Sequence, residues 1–484
     1  MHVEEQHLPL RGSESIQGNI LAGFRKDHQV FVFLTIPDER AGRAYMAELV
    51  PRDPTQSRIA STRQVADFNE TFSAARRGRG GDDPESLVAV WVNLAVTAPG
   101  LRKLLGGRHG MRRFPAFSQG AGSRAKRLRD TGRSAPKHWL IGRDDQAIDL
   151  VLTVAADREY DLELALQNMR ATAARHGLTT VFEQPGQTLP GARAGHEHFG
   201  FKDGISQPGV VGFDRVGEDG DREGHPGDEM VEPGEFVLGY KRSGGAPSWP
   251  HPKWMADGSF QVFRRLRQDV PGWWSQVNRR AESLPANNPM TPDLLAAKFV
   301  GRWRSGTPLA RAQLRDNRSA QDARHDNDFT FKGDRRGYAT PRFAHIRKMY
   351  PRDDRFDDDR RRILRRGIPY GPEFDPTDGR GHGVDADRGL LFNAFMSNIE
   401  QQFEFLQRAW ANNPKFPGNV FGDHLTDGPD PVIGHDDCPV TLRRKRCPDE
   451  LLNLRRFVDT SGAVYAFAPS IDALRRIGAR VARS

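Results

Sequence analysis

An α+β fold in two similar halves is what the order of apolar runs and helix signals along this chain predicts. Three observations carry it. Short apolar runs rich in Val, Ile and Phe alternate with helix-like stretches, Pro or Gly stops fall between them, and 484 residues exceed what one small core serves.

In the first half, residues 30–36 (VFVFLTI) form a buried-strand run, and 38–50 is helix-like until Pro51 stops it. The polar stretch 52–84 reads as an insertion. Residues 87–96 (LVAVWVNLAV) predict a second strand feeding a short helix after Thr97, and 149–155 a third strand. A helix over 158–176 stops at Gly177, and a fourth strand begins at 179–182. Strand, helix, strand, strand, helix, strand is the order of a ferredoxin-like unit.

The second half repeats this less cleanly. Residues 235–240 and 260–266 are strand candidates, followed by helical segments at 273–284 and 291–303. Residues 389–396 (GLLFNAFM) read as a central strand, after which Ser397-Asn398-Ile399-Glu400 forms a capping box. The helix it opens carries Ile399, Phe403, Leu406 and Trp410 at spacings of one buried face, a pattern that fits core better than a cofactor box. A hairpin at 460–462 and a last helix after Ser470 close the chain. The Pro/Gly-rich stretch 184–195 divides it into an N-terminal ferredoxin-like half, 1–190, and a C-terminal half, 191–484.

Composition narrows the function classes. Lys and Arg number 72 against 63 Asp and Glu, a net charge of +9, but the arginines are interspersed with acids, as in 353–366. That mixing argues against nucleic acid as a partner. A hydrophobic fraction of 37% with 28 Phe excludes global disorder. Two cysteines, Cys438 and Cys447, allow at most one bridge and point to a reducing, cytoplasmic setting. The N-terminal MHVEEQH has no signal-peptide character, and no apolar run approaches the roughly 20 residues of a membrane span.

Three segments can carry chemistry. Thr340 can cap a short helix with Pro341 in its first turn, placing His345 among Phe343, Ala344 and Ile346, where an imidazole can face an apolar cavity. An interior histidine is more often merely packed than a ligand. In Gly200-Phe201-Lys202-Asp203-Gly204, two glycines bracket an acid and allow its carboxylate close to a flat ligand, though an ordinary turn explains the pattern as well. Arg365, in Leu364-Arg365-Arg366-Gly367, is locally indistinguishable from Arg366. A rival site is His196-Glu197-His198, whose alternate histidines could hold non-haem iron or zinc near Asp203 but lack a third ligand.

Taken together, FGFKDGISQP, AHIRKMYPR and ILRRGIPYG resemble the segments of the dye-decolorizing peroxidase family, supported by 16–21 (IQGNIL) and by IEQQFEFLQRAWANNP from Ile399. The resemblance runs from about residue 16 to 468 and implies that family's α+β barrel fold. It also implies haem b as cofactor, hydrogen peroxide with small aromatic or dye donors as substrates, and surface Trp or Tyr as electron exits. By carry-over His345 binds the iron, Asp203 is the distal proton shuttle and Arg365 the distal counter-charge, with Arg347 and Gly204 against the cofactor. A porphyrin-handling protein without turnover would need His345 but could dispense with Asp203 and Arg365. One departure stands out: the family's acid near the start of the last long helix, partner of the proximal histidine, corresponds here to Asn398, which would leave the imidazole less anionic.

Overall fold

The computed structural model describes residues 7–479 apart from 80–82, 107–109, 144, 286–288, 317–321, 353–358, 375–385, 418–426, 436–438 and 446. Nine strands form one sheet: β1 His28–Thr35, β2 Val90–Thr97, β3 Leu150–Ala156, β4 Thr179–Gln187, β5 Ser259–Gln268, β6 Leu364–Arg365, β7 Ile368–Tyr370, β8 Gly389–Met396 and β9 Val458–Ala468. Their order is β4-β1-β3-β2-β9-β5-β8-β6, with β7 also paired to β8. Each half therefore shows the order fourth, first, third, second, with β6 and β7 sharing the second place in the C-terminal half. The halves join where Ala466 and Phe467 of β9 pair with Thr97 and Val96 of β2.

The sheet curls into a barrel. Phe31 and Phe33 on β1 meet Phe263 on β5 at ring-centroid distances of 4.8 and 5.1 Å, although β3, β2 and β9 lie between them in the sheet. At the seam, Gly186 of β4 packs on Ile368 and Leu391 so closely that a Cβ would lie 2.6 and 3.0 Å from their side chains. Strand alternation then sorts residues between two cores. Phe31, Phe33, Ala95, Val151, Phe263 and Phe395 fill the interior. Val30, Leu94, Leu152, Val262 and Ala394 face outward, into a second core shared with helices Glu39–Leu49, Ala98–Leu105 and Glu159–Arg175.

Four local expectations need correction. The stretch 52–84 contains helix Thr62–Gly78, opened by a capping box between Ser61 and Gln64; only three of its residues are buried, so its apolar signal is faint. Residues 235–240 form turns, not a strand, because Glu235 spends its backbone carbonyl on Ser397 N–H and Gln402 Nε2. Asn398 rather than Ser397 caps the turn that follows β8: its Oδ1 accepts the Gln401 N–H at 3.0 Å, while its own N–H donates to Gln402 Oε1 at 2.9 Å. Residues 460–462 are a bulge within the continuous strand β9, not a hairpin. Among the described residues, no helix is long and apolar enough to cross a membrane.

Phe263, 1% exposed at the barrel centre, gives the fold its test. Phe263→Ala is expected to cost about 3–5 kcal/mol, read as a lowered denaturation midpoint with an unchanged denaturant slope.

Candidate functional site

On the outer face of β5 and β8, where Arg264, Leu266, Leu390 and Phe392 alternate outward, lies a cavity of about 280 Å³. Its opposite wall is built from the His345 segment, the helical stretch 403–411 and the chain around 432–435. Ile399, Phe403, Leu406 and Trp410 are buried as the periodicity predicts, and the last three also line this cavity.

His345 sits at the start of a helix, not inside one. Residues 341–344 form a turn, Ala344 is the N-cap, and the helix runs His345–Met349. Its Nδ1 lies 2.8 Å from Asp430 Oδ2. The Asp430 side chain has no exposed surface, and its Oδ1 accepts the Val432 and Ile433 N–H groups at 2.8 and 3.1 Å. A carboxylate so placed can only accept, so the imidazole carries its proton on Nδ1. Nε2 has no hydrogen-bond partner among the described residues, and the ring lines the cavity. Burial alone would lower the His345 pKa, but the charge and hydrogen bond of Asp430 outweigh it and raise it. Asp430 thus takes the place expected of Asn398. No local pattern could have named it, since it lies 85 residues from its partner.

Elsewhere in the cavity lining, Arg365 Nη1 donates to Asp203 Oδ1 at 2.7 Å and Nη2 to the Ser206 carbonyl at 3.1 Å. Gly204 N–H donates to the same Oδ1 at 2.6 Å. Gly204 has φ +78° with open space where a Cβ would sit, so glycine is there for backbone conformation rather than clearance. Asp203 Oδ2 has no partner among the described residues. Burial raises the Asp203 pKa, yet Arg365 and the Gly204 amide hold it below its ordinary value. Strand alternation separates the two arginines that sequence could not. Arg365 lies opposite Ala394 and shares its outward face, while Arg366 turns away and donates to the carbonyls of Asn19, Ile20 and Leu21. Gln207, not singled out in sequence, reaches the Arg365 backbone carbonyl at 3.1 Å and accepts its N–H at 3.3 Å.

Other candidates fall elsewhere. Arg347 does not line the cavity: its fully buried guanidinium donates to the carbonyls of Asp334 and Thr340 and stacks over Phe331. His198 Nε2 is engaged by the Tyr370 carbonyl at 2.9 Å, and His196 Nδ1 by that of Ala194 at 3.1 Å. No group of three metal-binding side chains occurs among the described residues, so the rival metal site is unsupported. Cys447 is half-buried, and Cys438 lies outside the described residues.

The cavity's donor set fits a haem: an imidazole nitrogen without a partner among the described residues, apolar walls from Phe392, Phe403, Leu406 and Val432, and a basic end. There Arg362, stacked 3.7 Å over Tyr350, keeps a buried Nη1 without a partner among the described residues and can receive a carboxylate.

Fold and site together define a class, α+β-barrel enzymes with an enclosed histidine–carboxylate cavity. Comparison with known proteins makes it particular. Residues 15–190 match the DyP dimeric alpha+beta barrel domain and 248–420 the C-terminal domain of Dyp-type peroxidases. The dye-decolorizing peroxidase msp1 of Mycetinis scorodonius is 31% identical over 96% of this chain and 86% of its own length. An ancestral D-type dye-decolorizing peroxidase is 35% identical with TM-score 0.80, covering 96% of this chain and 98% of that one. A dye-decolorizing peroxidase in complex with 2,6-dimethoxyphenol is 30% identical with TM-score 0.81, covering 97% and 100%. The chain belongs to the dye-decolorizing (DyP-type) peroxidase family.

Arg365→Gln removes the main counterweight to Asp203 burial. The Asp203 carboxyl is expected to titrate at higher pH in that variant, followed by its infrared carboxyl band against an Arg365→Gln/Asp203→Asn control. In the native protein the stability from this depressed pKa is present above the ordinary value near 3.8 and is lost as pH falls through the folded value.

Proposed function

We propose that this chain is a haem b peroxidase that reduces hydrogen peroxide and oxidises phenolic and dye-like aromatic donors, with His345 on the iron, Asp203 carrying the proton and Arg365 supplying counter-charge. The observation that carries it is one cavity lined by His345, whose Nε2 has no partner among the described residues, and by the Asp203–Arg365 pair. Haem, when bound, supplies the redox centre for peroxide reduction.

The chain's own residues divide the remaining work. Asp203 Oδ1 is occupied by Arg365 and Gly204, which leaves Oδ2 to take a proton from one peroxide oxygen and hand it to the other, so that water departs. Arg365, protonated at any working pH, stands ready for the negative charge that develops as the O–O bond breaks. Asp430 fixes the His345 tautomer and makes the imidazole a more basic ligand. Arg362 would hold a carboxylate of the cofactor. The donor class follows the relatives, which are dye peroxidases, and the structural neighbour solved with 2,6-dimethoxyphenol. The two cysteines favour a reducing, cytoplasmic setting.

Asp203→Asn is expected to keep haem, with an unchanged Soret band, and to lose about 10²- to 10⁴-fold in kcat/KM for hydrogen peroxide; unaltered turnover would refute the assignment. Because Arg365 holds the Asp203 pKa down, the base form persists into acid. The optimum is expected to be acidic, with activity falling as pH drops below the ordinary carboxylate range and through the depressed Asp203 pKa. A peak on the alkaline side of neutrality would contradict this.

A further inference from the structure

Behind the cavity wall, one short segment of the N-terminal half makes a run of contacts to the C-terminal half. Arg124 grips Glu400 and Glu404. The Leu128 carbonyl accepts from Asn412 Nδ2 at 2.9 Å, and the Arg129 carbonyl faces His435 Nδ1 at 3.2 Å. Asp130 Oδ1 accepts from Arg264 Nη2 and, at 2.9 Å, from Thr460 Oγ1, and lies 3.3 Å from His435 Nδ1. Of these partners, Arg264 and His435 line the cavity directly.

Charge makes Asp130 the centre of this cluster. Arg264 is 3% exposed, and its Nε and Nη1 have no partner among the described residues; besides Asp130, its Nη2 donates to Thr460 Oγ1, and its Cζ lies 5.6 Å from the ring of Phe403. Asp130 Oδ2 is likewise without a partner among the described residues. Burial raises the Asp130 pKa, while the Arg264 charge and the hydrogen bonds from Thr460 and Arg264 favour the carboxylate, the anion set against a guanidinium that water does not reach. Burial, reinforced by Arg264, pushes His435 down to about 3, so it adds no charge. Both groups facing His435 Nδ1, the Arg129 carbonyl and the Asp130 carboxylate, are acceptors, which fixes the proton on Nδ1. Removing one partner of such a buried pair leaves an uncompensated charge.

We propose that Asp130 is a positioning residue for the peroxidase centre: supplied by the N-terminal half, it holds Arg264 and His435 in the cavity wall and balances the charge of Arg264 there. The N-terminal half thereby sets the electrostatics of a site whose ligand and distal pair all come from the other half.

The inference rests on haem occupying the cavity, so haem uptake by the full chain is scored first from the Soret band; a native chain that takes up no haem fails the cofactor reading, not this one. The Fe(III)/Fe(II) midpoint potential of the holoenzyme is then measured. Asp130→Asn, which bares the Arg264 charge, is expected to shift it positive, because an uncompensated cation favours the reduced centre. The double variant Asp130→Asn/Arg264→Gln is expected to restore most of the shift, and Asp130→Glu to leave the native potential in place. An unmoved potential in Asp130→Asn, or a shift that survives removal of Arg264, overturns the proposal. Should Asp130→Asn fail to fold, Arg264→Gln alone carries the test: a negative shift supports the proposal, and an unchanged potential overturns it.

Discussion

The hydrogen bond between His345 Nδ1 and Asp430 is the interaction on which the site depends. It joins the first residue of a five-residue helix to a carboxylate with no exposed surface, and it leaves one ring nitrogen, Nε2, available to the cavity. A helix this short has little stability of its own. It is held from its far end as well, where Lys348 Nζ donates to the carbonyls of Asn413 and Phe416 at 2.7 and 2.8 Å. Burial lowers the Lys348 pKa to about 7. The same anchoring ties the His345 helix to the end of the stretch bearing Phe403, Leu406 and Trp410, so His345 and the cavity wall are positioned together.

Arg365 is held in the cavity lining by a different means. Arg365 lies on a two-residue strand at the sheet edge, an unreliable anchor alone. Pairing with β8 on one side and the Gln207 carboxamide on the other fixes its backbone, and the pleat then decides that Arg365 and not Arg366 meets Asp203. A one-residue register slip would exchange the two arginines and take Arg365 away from Asp203. The neighbouring Gly204, in a conformation few other residues adopt, turns its amide back onto Asp203 and helps keep the carboxylate charged.

Much of this was legible in the sequence because it depends on local pattern. The first-half strands and helices followed from apolar runs with Pro51 and Gly177 as stops, and the family resemblance led to His345, Asp203 and Arg365, which the fold gathers around one cavity. What escaped depends on distance along the chain. Asp430 pairs with a residue 85 positions away, and Asp130 contacts Arg264 at a separation of 134; neither has a neighbouring motif to mark it. Arg347 misled because adjacency to His345 says nothing of direction on a short helix, and its side chain turns to Asp334 and Phe331. The helix Thr62–Gly78 was hidden by its own exposure.

The central claim is that His345 anchors haem in this cavity and that the loaded chain turns over peroxide. The most direct measurement is a haem titration of the purified chain followed by Soret absorption, then addition of hydrogen peroxide with 2,6-dimethoxyphenol, in parallel with His345→Ala. Saturation at one haem per native chain, peroxide-dependent oxidation of the phenol, and loss of tight haem uptake in the variant are expected. Equal haem uptake by His345→Ala, or a haem-loaded native chain indifferent to peroxide, would contradict the claim.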